Sequence, residues 1–122
     1  MDYLDIMAPE RWVESERENL RALGLSLRAI GHEQNAAILS ATQTNREGGK
    51  ALTAKAEHAA EDINKVRTVD VLLSINSTEP ERAAGEARIY FAAMRNTEDH
   101  FTLRIKQERS KMKFLTKVLG RE

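Results

Sequence analysis

The sequence of 122 residues predicts an α/β fold. The evidence is the order along the chain of short apolar runs, one helical pattern and one alternating pattern. Apolar runs of four to eight residues are typical of buried strands, and apolar residues at intervals of three and four are typical of a helix. The predicted order is strand, helix, strand, helix, strand and an antiparallel hairpin. Such an order indicates a sheet that is covered by helices.

The first half of the chain begins with a short strand over residues 2–7, followed by a helix over residues 11–31. This helix is predicted because four apolar residues recur at helical spacing on one face, namely Leu20, Leu23, Leu27 and Ile30. Arg28 points away from that face, and Gly31 is the predicted end of the helix. Residues 36–42 are a continuous apolar run and predict a buried parallel strand.

The middle of the chain is predicted to contain a polar, glycine-containing loop over residues 44–54 and a short helix over residues 55–66. Residues 69–75 predict a further apolar strand. The next segment, residues 76–85, is polar and contains a proline, so it is expected to be an irregular connection.

The predicted hairpin consists of a strand over residues 86–94 and a strand over residues 101–106. In the second strand Phe101, Leu103 and Ile105 alternate with Thr102, Arg104 and Lys106. This alternation is typical of an antiparallel sheet with one face in water.

Charge is unevenly distributed, although the formal net charge is zero. Residues 1–35 hold seven acidic side chains and four arginines, whereas residues 102–122 hold seven basic and two acidic side chains. A basic segment can attract phosphate backbones, but a solvated tail that binds nothing has the same composition. Cysteine is absent and no stretch is long and apolar enough for a membrane span, so the sequence predicts a cytoplasmic protein.

Three motifs occur in the order of one known family: Asp2-Tyr3-Leu4, then Ser40 to Arg46, then Arg88 to Asn96. They resemble the C-terminal half of the RecA-like motor domain of DnaB-type replicative DNA helicases, particularly the phage versions. The phosphate loop of that motor, G-x-x-x-x-G-K-[ST], does not occur in the sequence, since Gly48-Gly49-Lys50 lacks the first glycine and the final hydroxyl residue. The resemblance therefore implies a partial RecA-like (P-loop NTPase) sheet without its phosphate-loop strand.

The same resemblance implies roles for three residues within a portion of the ATPase domain that spans residues 1–114. Asp2 stands at the position that organises the nucleotide-bound Mg²⁺, and Gln43 at the position that senses the γ-phosphate. Arg95 stands at the position of an arginine finger, which stabilises charge on the nucleotide of a neighbouring subunit. Family members carry Lys two residues before this arginine and Gly two residues after it, where this chain has Ala93 and Thr97. Residues 115–122 lie beyond the resemblance and form a basic tail.

DNA contacts are implied for the segment that corresponds to loops facing the channel of a helicase ring. Arg46, Lys50 and Lys55 are the candidate phosphate contacts, although neighbouring acidic residues nearly cancel their charge. The three histidines, His32, His58 and His100, lack the spacing of metal ligands, so no metal site is predicted beyond Asp2.

The function implied by the resemblance is that of a fragment of an ATP-dependent hexameric helicase, with ATP and Mg²⁺ as cofactors of the full-length protein. Alone, the chain is expected to bind no cofactor, to hydrolyse no ATP and to bind single-stranded DNA weakly or not at all. It is expected to self-associate, because strands 36–42 and 69–75 would flank the missing phosphate-loop strand. Two alternatives remain: an interaction module that binds the full-length helicase or its loader, and a RecA-like ATPase of the recombinase or clock type.

Overall fold

A computed structural model describes residues 7–42 and 68–122. In these ranges the elements are α1 (Glu16–Glu33), β1 (Val71–Asn76), α2 (Glu79–Ala83), β2 (Glu86–Met94), β3 (Thr102–Glu108), a 3-10 helix (Arg109–Lys111) and β4 (Lys113–Arg121). The strands form one antiparallel sheet in the order β1-β2-β3-β4. The predicted α/β fold and its antiparallel hairpin are confirmed. The predicted loop 44–54, the predicted helix 55–66 and nearly all of the predicted strand 2–7 lie outside the described residues.

Helix α1 begins at Glu16, later than predicted, because Ser15 caps it. The Ser15 hydroxyl oxygen accepts the backbone N–H of Glu18 at 3.3 Å. The buried side chain of Asn19 then accepts the backbone N–H of Val13 at 2.9 Å and donates to its carbonyl at 2.7 Å. These two bonds hold the preceding segment against the first turn of the helix instead of continuing it.

The far end of α1 lies beyond Gly31, so the prediction that Gly31 ends the helix is wrong. The helix runs to Glu33 and is closed by Asn35, which adopts a left-handed φ of 47°. Ala36 N–H donates to the Gly31 carbonyl at 2.9 Å, and Asn35 N–H donates to the His32 carbonyl at 3.2 Å. This pair of bonds is a Schellman motif, in which asparagine takes the place that glycine usually occupies.

Residues 36–42 do not form a strand, so the prediction of a buried parallel strand here is wrong. The segment is irregular and largely exposed, and Leu39 is 83% accessible. Apolar composition suits a parallel strand only where strands on either side supply backbone hydrogen bonds and both faces are covered. The described residues contain no parallel strand pair, and the segment instead turns back so that Ile38 lies close to Gly31 of α1.

The core of the sheet lies on one face of the hairpin. Ala87, Ile89 and Ile105 are buried there, with Phe91 and Leu103 packed against them. On the other face Glu86 forms ion pairs with Arg104 and Lys106 at 3.5 and 3.7 Å. Such charged side chains are typical of a face in contact with water. The predicted alternation of apolar and polar residues in the second hairpin strand is therefore confirmed.

Two elements of the second half were not predicted. The connection over residues 76–85 contains α2, which begins with a capping box: Thr78 and Glu81 bond each other's backbone N–H groups. The basic tail 115–122 is largely the fourth strand, β4, paired with β3. The missed signals were the Thr-x-x-Glu motif before Ala83 and the apolar residues Phe114, Leu115, Val118 and Leu119. Within residues 7–42 and 68–122 no helix has the length and hydropathy needed to cross a bilayer.

Candidate functional site

Arg95 is the predicted site residue that the structure describes, and it lies immediately after β2. Its position is fixed by the β1–β2 pairing, because its backbone N–H donates to the carbonyl of Asp70 at 2.9 Å. Arg95 and Asp70 thus face each other across the two strands at one end of the sheet. This arrangement brings a guanidinium and a carboxylate together at a strand end.

Asp70 joins Arg95 to helix α1. One carboxylate oxygen, Oδ1, forms ion pairs with Nε of Arg95 at 3.1 Å and with Nη2 of Arg28 at 3.1 Å. Nη1 of Arg28 also donates to the carbonyl oxygen of Thr68 at 3.4 Å. Two permanently charged guanidinium groups therefore lie against one carboxylate oxygen.

Helix α1 can approach residues 68–70 because Gly24 has no side chain. A Cβ atom at Gly24 would lie 2.7 Å from Oγ1 of Thr68, which is closer than real Cβ contacts. Gly24 lies one turn before Arg28 and on the same face of the helix. Although glycine costs a helix about 1 kcal/mol relative to alanine, here it allows the contact that brings Arg28 to Asp70.

The loop after Arg95 is held in place by aromatic and charged contacts. Phe91 and Phe101 stack with ring centroids 4.3 Å apart, and the guanidinium of Arg121 lies 4.1 Å above the Phe101 ring. His100, which takes a left-handed φ of 61°, donates its backbone N–H to the Phe91 carbonyl at 2.7 Å. The loop after Arg95 contains Thr97 and makes its turn with a positive φ at His100.

Asp99 ties this loop back to the end of β2. Its carboxylate contacts Nδ1 of His100 at 2.5 Å and accepts the backbone N–H of Met94 at 3.4 Å. The hydrogen bond from His100 is the main reason that the pKa of Asp99 lies below its ordinary value. The residue before Arg95 is thus anchored by the Asp99 carboxylate.

The sequence analysis missed the two residues that surround Arg95. Arg28 was predicted only to point away from the apolar face of α1, whereas the structure shows that it reaches Asp70 and is 28% exposed. Tertiary contact, which helical spacing does not report, decides its direction. Asp70 had one available signal: it is an acidic residue inside the apolar run from Val69 to Leu73.

The other predicted site residues are not part of the described structure. Asp2, Gln43, Arg46, Lys50 and Lys55 all lie outside it, so neither their proximity to Arg95 nor their roles are tested. Among the residues that are described, no group of three His, Asp or Glu side chains is placed to hold a metal ion.

Five of the seven basic side chains in residues 102–122 contact an acidic side chain of the same chain. Lys111 and Lys113 contact Glu108 at 2.7 and 3.9 Å, and Arg121 pairs with Glu98. Arg104 and Lys106 share Glu86 in the same way. A surface whose cations are paired attracts phosphate less than its count of basic residues suggests.

Comparison with known proteins shows the fold. No protein-family profile matches the chain, and no curated protein matches it in sequence. Among solved structures it is similar to one described as an "ATPase Domain", with a TM-score of 0.74 and 14% identity over 86% of this chain. It is similar to the same degree (TM-score 0.74, 13% identity, 86% of this chain) to a DnaB-like replicative helicase whose interactions with primase were determined.

These two similarities establish the fold of part of a DnaB-like helicase ATPase domain. The chain spans 39% of the first of these proteins and 26% of the second. The predicted partial RecA-like fold is therefore confirmed.

Proposed function

We propose that this chain is the C-terminal portion of the RecA-like ATPase domain of a DnaB-type replicative helicase of phage origin, with residues 1–114 as the domain portion. The observation that supports this most strongly is the similarity in fold to helicase ATPase domains over 86% of the chain. A second support is the Arg95 site, because a guanidinium is anchored at the strand end where the resemblance expects one.

In the assembled parent protein, a hexamer in the cytoplasm, Arg95 stabilises charge on a nucleotide held by a neighbouring subunit. A guanidinium suits this work because it is planar, always charged and able to make two parallel hydrogen bonds to phosphate oxygens. Asp70 contributes by limiting the orientations of Arg95 before the nucleotide arrives, which reduces the entropy lost on contact. ATP and Mg²⁺ are the cofactors, with Asp2 near Mg²⁺ and Gln43 near the γ-phosphate.

DNA in the parent protein contacts the segment that contains Arg46, Lys50 and Lys55. The chain alone is expected to bind single-stranded DNA weakly or not at all. The support for this is the pairing of the C-terminal cations with Glu86, Glu98 and Glu108.

Self-association of the chain is part of the proposal, on a different basis from the one that the sequence suggested. Residues 36–42 form no strand, so they cannot flank a gap in the sheet. The support comes instead from the two outer strands of the described sheet, where Ile75 of β1 is 65% exposed and Leu115 of β4 is 52% exposed. Exposed apolar strands at a sheet edge pair with other chains, and a monomer in sedimentation at micromolar concentration would contradict this.

Hydrolysis is the property that tests the proposal. We expect the purified chain to hydrolyse no ATP above background with Mg²⁺, and to bind ATP with millimolar affinity at best, because the phosphate loop that grips the β- and γ-phosphates is missing. The measurement is phosphate release over hours at micromolar protein, with Gln43→Ala as the matched variant. Mg²⁺-dependent turnover that disappears in Gln43→Ala would show a complete catalytic site and refute the proposal.

The two alternative functions have less support. An interaction module that binds the full-length helicase or its loader agrees with the exposed apolar residues of β4, and it would require no nucleotide chemistry. An ATPase of the recombinase or clock type shares the order of strands, but one of the two similar structures described above is a DnaB-like replicative helicase.

A further inference from the structure

We propose that Arg28 is a second phosphate-binding residue of the Arg95 site, and that Asp70 occupies the place of the phosphate until one arrives. The inference rests on the proposed function, since it assumes that Arg95 meets a phosphate group. The ligand class is an oligophosphate, such as the phosphate chain of a nucleoside triphosphate.

The geometry that supports it is the convergence of two guanidinium groups from different elements on one oxygen atom. Arg28 comes from helix α1 and Arg95 from the end of β2, and both lie 3.1 Å from Oδ1 of Asp70. Groups that share a single carboxylate oxygen lie close enough to share a single phosphate, whose oxygens accept hydrogen bonds in the same way. The site is accessible, since the side chains of Arg95 and Asp70 are 44% and 60% exposed.

The charge of the two groups suits the same ligand. Both guanidinium groups are permanently positive, which is what a phosphate oxygen requires of its partners. Ala93, two residues before Arg95, carries no charge, whereas the resembling family has a lysine there. Arg28 therefore supplies a second positive charge next to Arg95 from another element of the fold.

Arg28 is also positioned for this role by contacts that a solvated arginine lacks. Its Nη1 donates to the Thr68 carbonyl at 3.4 Å, and the close approach of Gly24 to Thr68 sets the distance between α1 and residues 68–70. A side chain held on one side by the backbone loses less entropy when it binds a ligand on the other.

Inorganic triphosphate, titrated into the full chain, tests the inference through the NMR signal of Arg95 Nε–H. In the unaltered chain we expect a saturable shift with millimolar affinity. Arg28→Ala should weaken binding by about fivefold, as expected for loss of one partly exposed charge contact, and Arg28→Lys should restore most of it. Arg82→Ala is the matched control, because it removes an exposed arginine paired with Glu79 elsewhere on the surface, and it should leave the affinity within about twofold.

Asp70→Asn separates a binding role from a structural one, because it keeps the hydrogen-bond acceptor and removes the competing charge. We expect it to tighten triphosphate binding about threefold, whereas disruption of the fold would weaken it. Unchanged affinity in Arg28→Ala, with binding lost in Arg95→Ala, would overturn the role of Arg28 and leave the proposed function intact. No shift of Arg95 Nε–H in the unaltered chain would contradict the phosphate contact of Arg95 itself, and with it the proposed function.

Discussion

Replacement of Ile105 by alanine is expected to lower the free energy of unfolding by about 3 kcal/mol, the largest effect of a single substitution in the described sheet. Ile105 has no accessible surface and lies at the centre of the cluster with Ala87 and Ile89. Truncation removes buried methyl and methylene groups and leaves a cavity that β-strands fixed by backbone pairing do not readily close. Urea unfolding followed by circular dichroism measures the change.

The matched control for Ile105 is Val118, its direct partner across the β3–β4 pair. Val118 is 50% exposed, so Val118→Ala should cost less than about 1 kcal/mol. If Ile105→Ala does not fold, Ile105→Val provides the measurement, with an expected cost of about 1 kcal/mol. Equal losses for Ile105→Ala and Val118→Ala would contradict the position of the core on this face of the hairpin.

Replacement of Glu81 by alanine is expected to lower the free energy of unfolding by about 2 kcal/mol, because its carboxylate both caps α2 and pairs with Arg88 of β2. It accepts the backbone N–H of Thr78 at 2.6 Å, which caps α2, and it pairs with Arg88 of β2 through contacts of 2.7 and 3.3 Å. Arg88 is only 12% exposed, so its guanidinium would lose the contact with Glu81 in a largely buried position. Glu79→Ala, which removes an exposed acid of the same helix, is the matched control and should change stability much less.

The pH dependence of stability provides a second measurement on Glu81. The pKa of Glu81 lies below its ordinary value of 4.5. The main cause is the backbone hydrogen bond from Thr78, and the hydrogen bond from Arg88 lowers the pKa further. A carboxyl whose pKa is lowered by folding stabilises the protein above its unfolded pKa, and this contribution is lost as the pH falls through the folded pKa. Unfolding free energies should therefore converge between the unaltered chain and Glu81→Gln below about pH 4. A constant difference between them from about pH 7 to about pH 3 would contradict this assignment.

The parts of the fold that the sequence predicted are those determined by local pattern. Alternation along β3 identified both its buried residue Ile105 and its exposed residues Arg104 and Lys106. The apolar run of β1 and the helical spacing of Leu23 and Leu27 likewise identified a strand and a helix. Each element buries the side chains that its regular spacing places on one face.

The parts that the sequence did not predict depend on partners distant in the chain. Residues 36–42 have the composition of a strand, yet a strand also requires neighbours that supply hydrogen bonds. The direction of Arg28 depends on Asp70, which lies far along the chain, and on the absence of a side chain at Gly24. The resemblance pointed to Arg95, whose role stays a prediction. Local pattern did not identify Asp70, which contacts Arg95, or Arg28, which contacts Asp70.

The central claim is that this chain is part of a larger helicase ATPase domain, and the coding sequence upstream of Met1 tests it most directly. We expect the reading frame to continue upstream and to encode a G-x-x-x-x-G-K-[ST] phosphate loop about 100 residues earlier, as the usual size of such a domain requires. An in-frame stop codon immediately upstream, with no phosphate loop encoded before it, would contradict the claim and favour the interaction module.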